Sequence, residues 1–174
     1  MTGNLAQDFD VTNLNIDLDE LQGKPEFIAI KKVKTASTIT KKACLVEDVS
    51  LCFNALNGLP GPYIKYFVTA IKTHGLVKML DGFEDKSAYA QCIFAFCEGP
   101  DATPVTFIGR CHGKIVPPRG DNDFGWDPIF EPSGYNQTFA EMDMHTKNQI
   151  SHRGNALKLV RAYLEANTGR LMQL

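Results

Sequence analysis

"ACLVEDVSLCF", residues 43–53, is the stretch from which the fold can be argued first. Its apolar residues run continuously except for Glu47 and Asp48. A continuous apolar run of this length is typical of a strand that is buried on both faces. We therefore expect a buried strand that carries two carboxylates at its end.

The segments on either side alternate between β and helical patterns. Residues 10–20 alternate apolar and polar side chains, which predicts a short strand followed by an acidic loop. Residues 24–39 place Pro25 where a first helical turn accepts proline, and an apolar stripe with a lysine-rich face follows. The remaining expected elements are a turn at 57–62, a helix over 63–80 that is interrupted at Gly75, a hairpin or meander from 87–99 and 104–120, and a last helix that ends at Gly169. Together these patterns predict a mixed α/β domain.

Bulk composition limits the class of protein. The chain has 174 residues, 44% hydrophobic and 22% charged, which fits one globular domain over 1–174. No apolar run approaches the roughly 20 residues of a membrane helix and no secretion signal is evident, so we expect a cytoplasmic protein without membrane contact. A net charge of −2 argues against a generally basic nucleic-acid surface. The five cysteines lack CxxC spacing and are expected to be buried free thiols.

Acidic side chains after two expected strands are candidate metal ligands. A buried carboxylate such as that of Asp48 must be paired, hydrogen-bonded or bound to a metal. Asp17, Asp19 and Glu20 follow the other expected strand, and loops after strands are where α/β proteins gather ligands. Carboxylates from two such loops could hold Mg²⁺. The alternative is that the acids of residues 17–20 form a solvated turn and Asp48 caps a nearby group.

Basic side chains supply the opposite charge. Each of five lysines could meet a phosphate oxygen: Lys31, Lys32 and Lys34 on one predicted helix, Lys65 after a Gly-Pro turn, and Lys147. Usually such lysines form only a solvated face. In "SHRGNA", Ser151 can cap the last helix and Arg153 offers guanidinium donors in its first turn, so this helix start could bind an anion or a carbonyl. His152 alone is more often structural than catalytic.

"FGWDPIFEPSGYNQTFAEM", residues 124–142, surrounds a glycine with aromatic rings. Phe124 and Trp126 could stack on a planar ring, while Asp127 could accept hydrogen bonds from ring N–H groups. That combination suits a nucleobase. The alternative is a buried tryptophan in a turn, with Asp127 held by neighbouring N–H groups.

These motifs, taken in order, resemble the inosine triphosphate pyrophosphatase family. The resemblance is carried by "TGN" (2–4), "LQG" (21–23), "LVEDVSLCFNALNGLPGPYIKYF" (45–67), "GFEDKSAYA" (82–90), "FGWDPIFEPSGYNQTFAEM" and "KNQISHR" (147–153). It implies a twisted mixed sheet with flanking helices that form two lobes around a cleft, in a homodimer. It also implies Mg²⁺-dependent hydrolysis, with Mn²⁺ as a possible substitute, of ITP, dITP or XTP to the monophosphate and pyrophosphate.

The resemblance assigns roles to matching residues. Glu20 and Asp48 match the metal-binding carboxylates, Asp48 also orients or deprotonates the attacking water, and Glu47 assists. Lys32 and Lys65 match lysines on the phosphate chain. The loop that grips the phosphates corresponds to Thr2, Gly3 and Asn4. The base-recognition set, which favours a 6-oxo purine, corresponds to Phe124, Trp126, Asp127, Lys147, Ser151, His152 and Arg153.

The N-terminal region departs from the family pattern. Family members have a strand before "TGN" and a lysine three residues after its asparagine, whereas here only Met1 precedes Thr2 and Gln7 occupies the lysine position. About a dozen residues, roughly one average helix, are expected to be missing. A catalytically impaired relative that binds nucleotide weakly or serves as a dimer partner is therefore the alternative to an active pyrophosphatase.

Overall fold

The computed structural model describes residues 9, 11–121 and 125–171. Its helices and strands, in chain order, are α1 (Pro25–Thr40), β1 (Cys44–Phe53), β2 (Pro60–Gly61), α2 (Ile64–Lys78), β3 (Ser87–Cys97), β4 (Val105–Ile115), β5 (Phe130–Pro132), α3 (Met144–Ile150) and α4 (His152–Leu171). Short 3₁₀ turns at Asn54–Leu56 and Asp127–Ile129 precede β2 and β5. None of the helices within these residues has both the length and the apolar composition needed to span a bilayer.

The strands form one five-stranded sheet in the order β2-β1-β3-β4-β5. Cys44 pairs with Cys97 at one end of the β1–β3 ladder and Phe53 with Ala88 at the other. The expected hairpin is confirmed, since β3 and β4 pair along their lengths. The α/β class is also confirmed, but every pairing among the described strands is antiparallel, whereas a mixed sheet was expected.

The core divides along the strands into two parts. At one end of the sheet, α1 packs Ala29 and Val33 on the face of Ile93, while α4 packs Val160 on the opposite face against Phe94. At the other end a separate cluster is built from the far halves of the strands, α2 and the 126–142 region, with these buried members: Leu51, Phe53, Leu76, Leu80, Ile115, Phe130 and Phe139. This division agrees with the two lobes that the family resemblance implies.

Three sequence expectations about local structure are wrong. Residues 11–20 form neither helix nor strand, because an alternating pattern becomes a strand only when a neighbour supplies ladder hydrogen bonds. Helix α2 is interrupted at Lys72, whose φ is 59°, and continues through Gly75. A Cβ on Gly75 would lie 2.5 Å from Cβ of Ile71, so this glycine permits close packing within the helix. Helix α4 likewise runs through the expected stop at Gly169 to Leu171.

Over most of its length, the outer edge of β1 pairs with no strand of the described residues. Strand β2 pairs only with Leu51 and Cys52, and no other described strand pairs with β1 on that side. A cavity of about 930 Å³ is lined by this part of β1 and by residues of the 11–18 segment. The edge beside Glu47 and Asp48 is therefore not covered by a described strand.

Candidate functional site

Four charged residues predicted from separate parts of the sequence lie together. Nζ of Lys32, on α1, is 3.0 Å from Oδ1 of Asp48 and 3.1 Å from Oε2 of Glu20. Nζ of Lys65, in the first turn of α2, is 3.1 Å from Oε1 of Glu20. The loop before α1, the helices α1 and α2 and the strand β1 therefore meet at this cluster.

Asp48 is the buried member of the cluster. It lies in the middle of β1, opposite Ile93, and not at a strand end as expected. Its side chain is 9% exposed, and Oδ2 has no hydrogen-bond partner among the described residues. Burial raises the pKa of Asp48 in spite of the opposing effect of Lys32. A buried carboxylate oxygen of this kind is a position where a cation or a water would be stabilised.

Glu20 and Lys32 both have pKa values shifted so that they stay charged at neutral pH. Hydrogen bonds from Lys32, with a smaller contribution from Lys65, lower the pKa of Glu20 against the opposing effect of burial. Burial alone would lower the pKa of Lys32, but contacts with Asp48 and Glu20 outweigh it and raise that pKa. The cluster thus combines two carboxylates and two ammonium groups.

The cluster fits a magnesium ion that is bound together with a phosphate chain. Glu20 and Asp48 both contact Nζ of Lys32, so both carboxylates can reach one small ion at that place. No group of three or more His, Cys, Asp or Glu side chains suited to a metal is found within the described part of the chain. Mg²⁺ is commonly held by only one or two carboxylates together with waters and substrate phosphates, so these two acids suffice.

Glu47 faces the other side of the sheet from Asp48, because successive residues of a strand point to opposite faces. Its Oε1 accepts a hydrogen bond of 2.5 Å from Nε of Arg153 at the start of α4. The thiol of Cys92 lies 3.4 Å from the same oxygen. Glu47 therefore does not join the Asp48 cluster but contacts Arg153, one of the residues expected to recognise a base.

The expected base-recognition residues form an aromatic and charged group. The rings of Trp126 and His152 are 5.4 Å apart, and Phe139 stacks on His152 at 6.1 Å. Trp126 is only 9% exposed and also contacts Phe130. The tryptophan thus has the packing role that the sequence left open, and its neighbours His152 and Phe139 belong to the same ring cluster.

Burial shifts the pKa values of two ionisable groups in this region. Burial raises the pKa of Asp127, against the effect of an ion pair with Lys147 and the nearby charge of Arg153. Burial, with the charges of Arg153 and Lys147, lowers the pKa of His152 to about 3. His152 is therefore neutral at physiological pH, and its Nδ1 has no partner among the described residues.

The start of α4 is fixed by its neighbours. Oγ of Ser151 accepts a hydrogen bond of 3.1 Å from the backbone N–H of Gly154, so the expected helix cap is confirmed. A Cβ on Gly109 of β4 would lie 2.2 Å from the carbonyl oxygen of His152, which shows how closely the helix start approaches the sheet. This contact sets the positions of His152 and Arg153.

Phe139 is a member of the site that the sequence did not single out. It is 1% exposed, and Nζ of Lys147 lies 5.3 Å from its ring centroid. The only signal was its place in the quoted 124–142 stretch. Phe124 and the phosphate-loop residues Thr2, Gly3 and Asn4 lie outside the described residues.

Comparison with known sequences agrees with these motifs. The sequence model of the Ham1 family matches residues 2–163. An inosine triphosphate pyrophosphatase from Candida albicans (strain WO-1) is 54% identical over 163 residues, which are 94% of this chain and 81% of the relative.

Comparison with solved structures gives the same family. A HAM1 protein from Coxiella burnetii has a TM-score of 0.86 and 29% identity, with 95% of this chain and 91% of that chain covered. A nucleoside-triphosphatase / dITP/XTP pyrophosphatase from Mycobacterium abscessus has a TM-score of 0.71 and 31% identity, with 87% and 83% covered. Motifs, family match and fold together show that the chain belongs to the Ham1 family.

Proposed function

We propose that this chain hydrolyses nucleoside triphosphates with non-standard purine bases, namely ITP, dITP and XTP, to the monophosphate and pyrophosphate. The observation that carries the proposal is the meeting of Glu20, Lys32 and Asp48, with one buried oxygen of Asp48 lacking a described partner. The names of the Candida albicans and Mycobacterium abscessus relatives support the same class of substrate.

The phosphate chain would bind on the α1 side of β1. Lys32 and Lys65 would donate to phosphate oxygens, and we assign Thr2, Gly3 and Asn4 to the same task from their motif. Glu20 and Asp48 would hold Mg²⁺, with Mn²⁺ as a substitute, and the bound ion would supply neutralisation of the charge on the leaving pyrophosphate. Asp48 would also orient the attacking water and accept its proton as a general base.

The base would bind on the α4 side of β1. Phe124 and Trp126 would form the wall beside the ring, Asp127 would accept from ring N–H groups, and Lys147 and Arg153 would donate to the 6-oxo group. Ser151 and His152 would complete the pocket. Adenine carries a 6-amino donor in place of the oxygen, so it would leave buried donors unpaired and be rejected.

The edge of β1, which no described strand covers before Leu51, offers a route by which one nucleotide would reach both groups of residues. Asp48 contacts Lys32 of α1, whereas Glu47 contacts Arg153 of α4 on the opposite face. A ligand that contacts both faces must cross the edge of β1, and that edge pairs with no described strand before Leu51. We also propose that the protein acts as a homodimer in the cytoplasm, without nucleic-acid or membrane partners.

A substrate panel with product analysis tests the proposal. ITP, XTP, dITP, ATP and GTP are each incubated with the protein and Mg²⁺, and the products are separated by ion-exchange chromatography. We expect IMP and pyrophosphate from ITP, with much lower turnover of ATP and GTP. Release of IDP and inorganic phosphate would contradict the proposed bond cleavage, and equal turnover of ATP and ITP would contradict the proposed selectivity.

A further inference from the structure

Strand β1 carries two adjacent carboxylates whose side chains lie on opposite faces of the sheet. Asp48 contacts Lys32 on α1, and Glu47 contacts Arg153 on α4. Because the alternation of a strand separates the two side chains, Glu47 cannot share the Lys32 contact without a change of register. The carboxylate of Glu47 is therefore available for a task of its own.

The contact between Glu47 and Arg153 is short and partly shielded. Oε1 of Glu47 lies 2.5 Å from Nε of Arg153, and the two side chains are 19% and 26% exposed. Charge-assisted hydrogen bonds to a guanidinium fix its plane as well as its position. Because the bond is made by Nε, it requires neither of the two terminal amino groups of Arg153.

Arg153 is close to the groups assigned to the base. It follows His152 directly, in the first turn of α4, and the Ser151 cap fixes that turn. Its charge affects both Asp127 and His152. An arginine has many rotamers, so a donor that must meet one oxygen of a base needs a second contact to hold it.

We propose that Glu47 is a positioning residue for base selection, which holds the guanidinium of Arg153 so that its terminal amino groups meet the 6-oxo group of the purine. This inference rests on the proposed function, and it replaces the catalytic assistance expected from the sequence. Glu47 acts through Arg153 and touches neither the phosphate chain nor the attacking water.

The consequence is a loss of selectivity more than a loss of turnover. Without Glu47, Arg153 would sample other rotamers and would meet the 6-oxo group only part of the time. A site that hydrogen-bonds its substrate discriminates by large factors, so losing one ordered donor is expected to reduce the ITP/ATP ratio of kcat/KM by about 10- to 100-fold. The change should enter mainly through KM, because Asp48 and Lys32 are unaltered.

The experiment compares Glu47→Leu, Glu47→Gln and a matched control. Glutamine has the same shape and can still accept from Nε, so Glu47→Gln should retain part of the selectivity that Glu47→Leu loses. The control is Glu98→Leu, because Glu98 pairs with Arg170 on the same helix and its side chain is similarly shielded, at 22% exposed. Arg153→Met is combined with Glu47→Leu in a double-mutant cycle.

A binding readout separates this inference from the proposed function. Trp126 is the only tryptophan, so its fluorescence can report titration with IMP or AMP without any turnover. We expect Glu47→Leu to lose IMP preference, Arg153→Met to cause little further loss in that background, and Glu98→Leu to behave as the unaltered protein. An unchanged ITP/ATP ratio and IMP preference in Glu47→Leu would overturn the inference alone.

Two other outcomes bear on the proposed function. IMP-selective binding by the unaltered protein without ITP hydrolysis would overturn the hydrolase assignment, while the effect of Glu47→Leu on binding would still decide the inference. Equal affinity of the unaltered protein for IMP and AMP would overturn both. If Glu47→Leu fails to fold, the smaller Glu47→Ala decides, because it also removes the acceptor for Nε of Arg153, and selectivity identical to that of the unaltered protein at both readouts would overturn the inference.

Discussion

The ammonium group of Lys32 lies 3.0 Å from Oδ1 of Asp48, on neighbouring elements α1 and β1. Both side chains are largely buried, at 13% and 9% exposed. Among the described residues, Lys32 is therefore the cation that contacts the buried Asp48 carboxylate and stabilises its ionised form. The same lysine reaches Glu20, so it also holds the loop before α1 against the strand.

Replacing Lys32 by methionine is expected to destabilise the protein by about 3 kcal/mol at pH 7, because a buried carboxylate loses its partner. Burial already raises the pKa of Asp48, and the variant removes the opposing effect of Lys32. The folded variant would then bind a proton more readily than the unfolded chain, so its stability should fall as pH rises through the pKa of the folded state.

Urea unfolding at pH 5 and pH 7 measures this effect. The penalty of Lys32→Met should be smaller at pH 5 than at pH 7. Lys31→Met is the control, because Lys31 is an exposed neighbour on α1 that contacts only the ring of Phe27 among the interactions found for it. A penalty that is the same for both variants at both pH values would contradict the role of Lys32.

The buried His152 predicts a loss of stability in mild acid. Its pKa is lowered from 6.5 to about 3, so below pH 6.5 the unfolded chain takes up a proton that the folded chain does not. Stability is therefore fully present above pH 6.5 and falls as pH decreases towards about 3. At pH 5 this group alone should reduce the free energy of unfolding by about 2 kcal/mol relative to pH 7.

Comparing His152→Phe with the unaltered protein isolates this contribution, since other groups titrate in both. The difference in unfolding free energy between pH 7 and pH 5 should be smaller in the variant by that amount. His145→Phe, at an exposed position on α3, should keep the full difference. An identical pH dependence in His152→Phe and the unaltered protein would show that His152 is not a buried neutral group.

The tryptophan of the 124–142 stretch is expected to matter for stability as well as for binding. Trp126 packs against Phe130, Phe139 and His152, so Trp126→Ala should lower the free energy of unfolding by about 3–5 kcal/mol. Trp126→Phe should lower it less and still raise KM for ITP, because a smaller ring offers less stacking surface. Thermal unfolding and ITP kinetics on both variants, with exposed Phe83→Ala as control, measure the two effects. A Trp126→Ala protein as stable as the control would contradict the packing seen here.

Much of the fold follows from local sequence patterns. The continuous apolar run at 43–53, Pro25 at a helix start and Ser151 at another each specify one element with little help from distant residues. The strand predicted over 10–20 is not found in residues 11–20. Local patterns are limited here, because an alternation of apolar and polar residues does not show whether a neighbouring strand is present to pair with it. The helix that continues through Gly75 is a second example. The glycine there is explained by the close approach of Ile71, which a sequence pattern does not reveal.

The sequence predicted which residues belong to the site, but it did not predict which of them contact one another. Resemblance to the family selected Glu20, Lys32, Asp48 and Lys65, and the structure brings these four together. It could not show that Glu47 turns to Arg153, because that contact joins residues 106 positions apart in the chain. Phe139 was missed for a similar reason, as its role depends on the rings that surround it.

The central claim is that Asp48 holds the metal and accepts the proton of the attacking water, and Asp48→Asn tests it most directly. Asparagine keeps the shape and the contact with Lys32 but can neither accept a proton from water nor supply charge to a metal. Pyrophosphate release from ITP is measured over a range of Mg²⁺ concentrations, with Asp19→Asn as an exposed acidic control from the neighbouring loop. We expect Asp48→Asn to lose at least about 100-fold in kcat while IMP still changes the fluorescence of Trp126, and Asp19→Asn to remain active. Turnover by folded Asp48→Asn equal to that of the unaltered protein would contradict the account.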